Sequence, residues 1–288
     1  MRYSCLHTHS VFCDGEDSVE VLCEQAAKRG FVSIGFSSHG PLYQRTGLSS
    51  DWHIDEARLG AYIEAVLAAR RRWEGKLRVF LGLEADYISG LMGPGDREFQ
   101  SLGLDYIIGS VHYVVPPKGR PFTVDGPAEE LERNIRDCFD GDGWAAVEAY
   151  WDAVEAMIRA GGFDILGHAD LIKKNNRNNR WFDPRDPRYQ ARLRRAAELT
   201  AASGLTAEVN TGGINRGAIG ETYPAPAFLE ALAVHQAPVT ITADAHRAAH
   251  LGGGYPQARQ TLLAAGYTHA ALFEGRERGR PVWTEDPL

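Results

Sequence analysis

His7-Thr8-His9, with Asp14 five residues on, is the first place where residue types and spacing suggest chemistry. Alternate side chains of a strand point to one face, so His7 and His9 can reach one cation from a strand end. Imidazole suits Zn, Fe, Mn or Ni, and added carboxylates extend the choice toward harder ions. Alone, a His-x-His pair is also what an exposed polar strand end looks like. The rest of the chain decides against that. His39, Glu84, His112, His168, Asp244 and His246 all stand at the ends of short apolar runs with strand character. Scatter would put many of the ten histidines on helices and loops, yet six of them gather at strand ends with Asp14, Glu84 and Asp244. His53 could touch a substrate, His250 falls near the rim, and His235 and His269 read as ordinary histidines.

So many ligands exceed the needs of one ion and suit a cluster of two or three, with Glu84 able to bridge through its two oxygens. Structural zinc sites close with four ligands, whereas a histidine–carboxylate cluster points to hydrolysis. Metals lower the pKa of bound water to about 7, and two ions about 3.5–4 Å apart can clamp a phosphate for in-line displacement.

The elements that must hold these residues alternate. Apolar runs predict strands over 3–7, 31–37, 77–83, 106–111, 164–167, 205–209 and 238–243. Between them, Ser18 caps a helix to about 29, closed by Gly30, and Leu59, Tyr62, Ile63, Val66 and Leu67 follow helical spacing. Further helices are expected over 128–139, 144–160, from Pro187 onward, 228–234 and 255–265. Such βα repetition predicts an α/β barrel, closed or somewhat distorted, with its site at the C-terminal strand ends. Pro116, Pro117, Pro121 and Pro127, with Gly119 and Gly126, mark a surface loop near that site. The tail over 275–288 reads as polar and loosely held. No linker separates two cores, so one domain over 1–288 is expected, with a core of about 3–274.

The net charge of -7 argues against an electrostatic nucleic-acid platform. No apolar run reaches the ~18–20 residues needed to span a bilayer. Met1 to Ser4 lead straight into the first strand, which leaves no room for a signal peptide. Cys5, Cys13, Cys23 and Cys138 form no Cys-x-x-Cys pair and read as reduced thiols of a cytoplasmic protein.

Taken jointly, His7-Thr8-His9, Asp14, Ser38-His39-Gly40-Pro41-Leu42, Gly82-Leu83-Glu84, Gly109-Ser110-Val111-His112, Gly167-His168-Ala169-Asp170 and Ala243-Asp244-Ala245-His246 resemble the polymerase-and-histidinol-phosphatase (PHP) superfamily. The match runs from residue 3 to about 250. Within it the chain is more similar to the histidinol-phosphate phosphatases than to the polymerase-associated members. The pointers are His39-Gly40-Pro41-Leu42, Ser110-Val111-His112, Glu208-Val209-Asn210-Thr211-Gly212-Gly213 and Tyr223-Pro224. The resemblance implies a distorted seven-stranded (β/α) barrel and a site for two or three divalent or trivalent ions of Zn, Fe or Mn. It assigns His7, His9, Glu84 and Asp244 to one ion, Glu84, His112 and His168 to a second, and Asp14, His39 and His246 to a third. Position 14 is His in some relatives; Asp adds negative charge there and favours a harder or different ion.

The reaction so implied is phosphomonoester hydrolysis, with L-histidinol phosphate as the small-molecule substrate and no nucleic-acid or membrane partner. Asp244 or His246 would protonate the leaving alkoxide, with Glu84 at the centre of the metals. Arg216 is the first phosphate clamp, because guanidinium matches phosphate oxygens bidentately, and Lys173 and Lys174 come next. Two other readings stand beside this one. One is hydrolysis of another phosphate ester, a nucleotide or an oligonucleotide end. The other is a metal-binding regulatory barrel without hydrolysis.

Overall fold

The computed structural model describes residues 2–288. Among the described residues, seven parallel strands form one sheet in chain order: β1 (Ser4–Cys5), β2 (Ser33–Phe36), β3 (Arg78–Asp86), β4 (Tyr106–Ser110), β5 (Ile165–Leu166), β6 (Thr206–Asn210) and β7 (Val239–Thr242). The seam between β1 and β7 is bridged where Thr8 pairs with Ala245. There His9 N–H donates to Ala245 O at 2.9 Å, and Ala245 N–H donates to His7 O at 3.1 Å. The His-x-His segment is therefore also the stitch that draws the sheet into a barrel.

Helices fill the crossovers. Ser18 Oγ accepts from Val21 N–H to start the helix Val19–Lys28, and Asp142 and Asp186 cap Gly143–Ala160 and Pro187–Ala202 in the same way. Pro187 sits in the first turn, where a missing N–H has no consequence. Strands covered on both sides read as continuous apolar runs, and β3 is buried at every position after Arg78. No helix of the described residues is long and apolar enough to cross a membrane.

β1 is shorter than the expected 3–7. The chain bends at Leu6, which resets the alternation. Leu6 then joins a cluster of interior residues with Phe80, Tyr106, Ile108, Ile165 and Phe273, while His7 and His9 still face the mouth. Tyr106 lies across the barrel. A Cβ at Gly35 or Gly82 would run into its ring, so those two positions admit only glycine.

The tail is not loose. His269–Glu277 and Arg280–Pro287 form an antiparallel hairpin with a bulge between Phe273 and Gly275. Phe273 is fully buried and meets Phe80, Tyr106 and Trp283 edge-on, with ring centroids at 4.9, 5.6 and 5.0 Å. The hairpin's charged groups reach the N-terminal strand ends: Asp286 to Arg2, Glu274 to Arg78, and Arg276 to Asp164. A hairpin with one face on the barrel and the other in water reads as polar, which is why the sequence suggested disorder. The proline-rich stretch 114–126 is likewise partly a hairpin, of Tyr113–Val114 with Phe122–Thr123, and Phe122 and Val124 are buried.

Candidate metal centre

The strands deliver their side chains in steps of two. His7 and His9 follow β1, His39 is paired to Glu84 by a bridge beyond β2, and His112 lies two residues past the end of β4. His168 follows β5, and Asp244 and His246 follow β7. Glu84 lies inside β3, which continues two residues beyond it to Asp86. Asp244 takes a left-handed backbone, with φ 47°, a conformation that aspartate tolerates better than most residues. Arg216 holds it there, donating to Asp244 O at 3.0 Å and to Oδ2 at 2.9 Å.

Glu84 is the hub. Its Oε2 lies 2.9 Å from His39 Nδ1, 3.1 Å from His7 Nε2 and 3.6 Å from His9 Nε2. Its Oε1 lies 2.8 Å from His168 Nε2 and 3.7 Å from His112 Nε2, and accepts from Ser110 Oγ at 2.6 Å. Asp244 Oδ1 is 3.2 Å from His9 Nε2, 3.5 Å from His246 Nδ1 and 3.8 Å from His7 Nε2. Asp14 is 3.1 Å from His246 Nε2, 3.6 Å from His9 Nδ1 and 3.8 Å from His39 Nε2. Four groups of ligand atoms are close enough to share an ion: His9, Asp14, His39 and His246; His7, Glu84 and His168; His7, His9 and Asp244; and His39, Glu84 and His112.

Two further carboxylates set the tautomers. Glu208 accepts from His7 Nδ1 at 2.8 Å, from His168 N–H at 2.6 Å and from Thr242 Oγ1 at 2.7 Å. Asp86 accepts from His112 Nδ1 at 2.8 Å and pairs with His53 Nε2 at 2.7 Å. With Nδ1 so held, Nε2 of His7 and of His112 faces Glu84, the usual orientation of a metal-ligating histidine.

The donor set fits cations. His7 Nε2, His9 Nε2, His39 Nδ1 and Glu84 Oε2 are buried without a hydrogen-bond partner, and they meet at one point. Unsatisfied buried polar atoms are rare, and several at one place call for an ion. Burial alone would raise the Glu84 carboxyl, but His7, His39 and His112 hold it well below the usual range. Asp14 and Asp244 are depressed in the same way, against burial, by their histidine neighbours and, for Asp244, by Arg216 first. Burial, with His246 and His39, pushes His9 down to about 3, so its ring is neutral and free to ligate. Burial would lower His112 too, but Asp86 and Glu84 outweigh it and lift that ring to about 10.

Above the histidines lies a cavity of about 350 Å³, within the range of small-ligand sites. Arg216 and Lys174 line it, with Trp52 and Asp125 on its walls. The structure does not bring Lys173 there. Its Nζ is held by Asp170 at 2.9 Å, Glu221 at 3.0 Å and Thr222 O at 2.7 Å. His53 is also set back from the cavity lining, between Asp86 and Ser50, and braces His112 through Asp86. Asp86 and the role of Glu208 escaped the sequence reading. The signal was present: Glu84-x-Asp86 and Glu208-x-Asn210 repeat the period-two spacing of His7 and His9.

The fold and this centre together define a metal-binding α/β barrel of hydrolytic type. A model of the PHP domain matches residues 6–212, and the chain belongs to that family. It is 30% identical to a protein of Deinococcus radiodurans named probable histidinol-phosphatase, over 90% of this chain and 92% of that one. It is 25% identical to the histidinol-phosphatase of Bacillus subtilis, over 86% and 95% of the two chains. Among solved structures, a candidate histidinol phosphatase, hisK, of Listeria monocytogenes shares the fold, with a TM-score of 0.78 and 23% identity over 88% of this chain and 99% of that one. The histidinol phosphate phosphatase of Lactococcus lactis, solved with zinc, L-histidinol and phosphate, shares it with a TM-score of 0.70 and 18% identity over 98% and 99%.

Proposed function

We propose that this chain is a metal-dependent phosphomonoesterase that converts L-histidinol phosphate and water to L-histidinol and phosphate, a cytoplasmic step of histidine synthesis. The observation that carries the reading is Glu84, a buried carboxylate whose two oxygens face five histidines at the floor of a cavity that also holds Arg216 and Lys174. The names of the curated relatives and the ligands of the Lactococcus lactis structure support the substrate.

His7, His9, Glu84 and Asp244 would hold one ion, Glu84, His112 and His168 a second, and Asp14, His39 and His246 a third, with Zn, Fe or Mn as the candidates. The close groups support part of this division: His7, His9 and Asp244 form one and Asp14, His39 and His246 stand together with His9, whereas His112 and His168 meet Glu84 in separate groups, with His39 and with His7. Bound there, such ions supply Lewis-acid charge to the phosphoryl group and lower the pKa of coordinated water. The chain's own part is positioning and charge, the main requirements of phosphoryl transfer. Arg216, whose two terminal nitrogens donate to Asp244, lines the cavity and would bring its positive charge to phosphate oxygens, and Lys174 adds a second cation. Asp244 is held ionised by Arg216 and His7, so the proton for the leaving oxygen would come from His246, which stands beside Arg216 on the same wall.

The test is phosphate release from L-histidinol phosphate beside p-nitrophenyl phosphate and a mononucleotide, after loading with Mn, Zn or Fe. A kcat/KM at least ~100-fold higher for histidinol phosphate, about 2.7 kcal/mol of discrimination, supports the substrate. Equal rates on all three contradict it.

A further inference from the structure

Three of the carboxylates that line the cavity, Asp14, Glu84 and Asp244, are engaged by histidines. Asp125 is not. Among the described residues its one ion pair is with Lys174 Nζ, at 3.3 Å, and the two side chains are 26% and 27% exposed on the cavity wall. The backbone around Asp125 is fixed from both sides. Asn175 Nδ2 donates to Val124 O at 3.1 Å and to Gly126 O at 2.9 Å, the carbonyls that flank it. Val124 N–H donates to His112 O at 2.9 Å, tying this segment to the histidine cluster. A charged group so held loses little freedom when a ligand binds.

We infer that Asp125 is the specificity residue for the alcohol side of the substrate, and that it receives a cationic amine there. The inference rests on the phosphatase reading above. A phosphate at the histidine floor would compete with Asp125 for Lys174, and that exchange would leave Asp125 without its ion-pair partner. A carboxylate left unpaired in a partly closed cavity is unfavourable, and an ammonium on the substrate restores the balance. The site would thus favour phosphate esters whose alcohol carries an amine, as L-histidinol does, and disfavour neutral or acidic alcohols of the same size.

The experiment compares two esters in one sample, L-histidinol phosphate and its deaminated analogue, imidazolylpropyl phosphate, at about pH 8, where imidazole is neutral. The wild type is expected to prefer the amine by ~10- to 100-fold in kcat/KM, the usual size of a charge-assisted contact. Asp125→Asn is expected to bring that ratio to near one, mainly through KM. The ratio does not depend on how much of the variant folds. A wild-type ratio near one overturns the inference. So does an Asp125→Asn ratio that stays at the wild-type value while both rates fall, because Asp125 then only holds Lys174. Aminoethyl phosphate and ethyl phosphate repeat the test with the same N–C–C–O–P spacing and no imidazole. If histidinol phosphate proves not to be the substrate, this second pair still decides the role of Asp125 by the same two outcomes.

Discussion

Strand β3 carries Phe80 near one end and Glu84 and Asp86 near the other, and the two ends of the barrel differ as those residues do. At the N-terminal end, Leu6, Phe80, Tyr106, Ile108, Ile165 and Phe273 pack without a histidine or a carboxylate among them, and the C-terminal hairpin covers them. At the C-terminal end the same strands turn six histidines and three carboxylates inward. One end supplies stability through apolar burial. The other holds buried charge that is unfavourable for the fold until it is balanced by cations. The rigid lower layer lets the upper layer hold ligand atoms in place: Glu84 and His112 stand four residues along the chain from Phe80 and Ile108 of that layer.

This division can be broken from either side. The largest effect is expected at the hub. Glu84→Gln should lower kcat/KM for L-histidinol phosphate by at least ~1,000-fold, about 4 kcal/mol, with the circular dichroism of the folded protein retained. Phe273→Ala should do the reverse. Emptying that position should cost about 3–5 kcal/mol in denaturant unfolding, with kcat/KM per folded molecule within about two-fold of wild type. A large loss of turnover in folded Phe273→Ala would show that the two ends are not independent. Next comes the layer behind the ligands. Asp86→Asn and Glu208→Gln should each weaken metal retention by ~10- to 100-fold in a chelator titration, because His112 and His7 lose the partner that fixes their tautomer. The smallest effect is expected at the hairpin's rim. Arg276→Ala leaves Asp164 with only the Ile107 N–H on its carboxylate and should lower stability by about 1 kcal/mol, with no change in metal content.

The upper end was legible in the sequence because cation chemistry restricts residue types. Few side chains ligate, and a strand forces them to alternate, so His7, His9, Glu84, His168 and His246 declared themselves. The same period-two argument extended to Asp86 and Glu208 would have found the residues that orient His112 and His7. The lower end was not legible, because apolar burial accepts many sequences. Phe273 and Trp283 gave no sign of their partners, and the charges of the hairpin concealed its packed face. The bend at Leu6 was hidden for a further reason: alternation counted from Ser4 sends His7 and His9 to the wrong side, and only the closure of the barrel at Thr8 and Ala245 restores them. Lys173 and Lys174 are adjacent in sequence, yet only tertiary partners separate a lysine bound to Asp170 from one on the cavity wall.

The measurement that bears most directly on the central claim is metal content per chain, by plasma mass spectrometry, after loading and exhaustive dialysis of the wild type, Glu84→Gln and Phe273→Ala. Roughly two to three ions are expected in the wild type, at most about one in Glu84→Gln, and wild-type content in folded Phe273→Ala. Wild-type metal content in Glu84→Gln would contradict it, because the centre would then not be organised on that carboxylate.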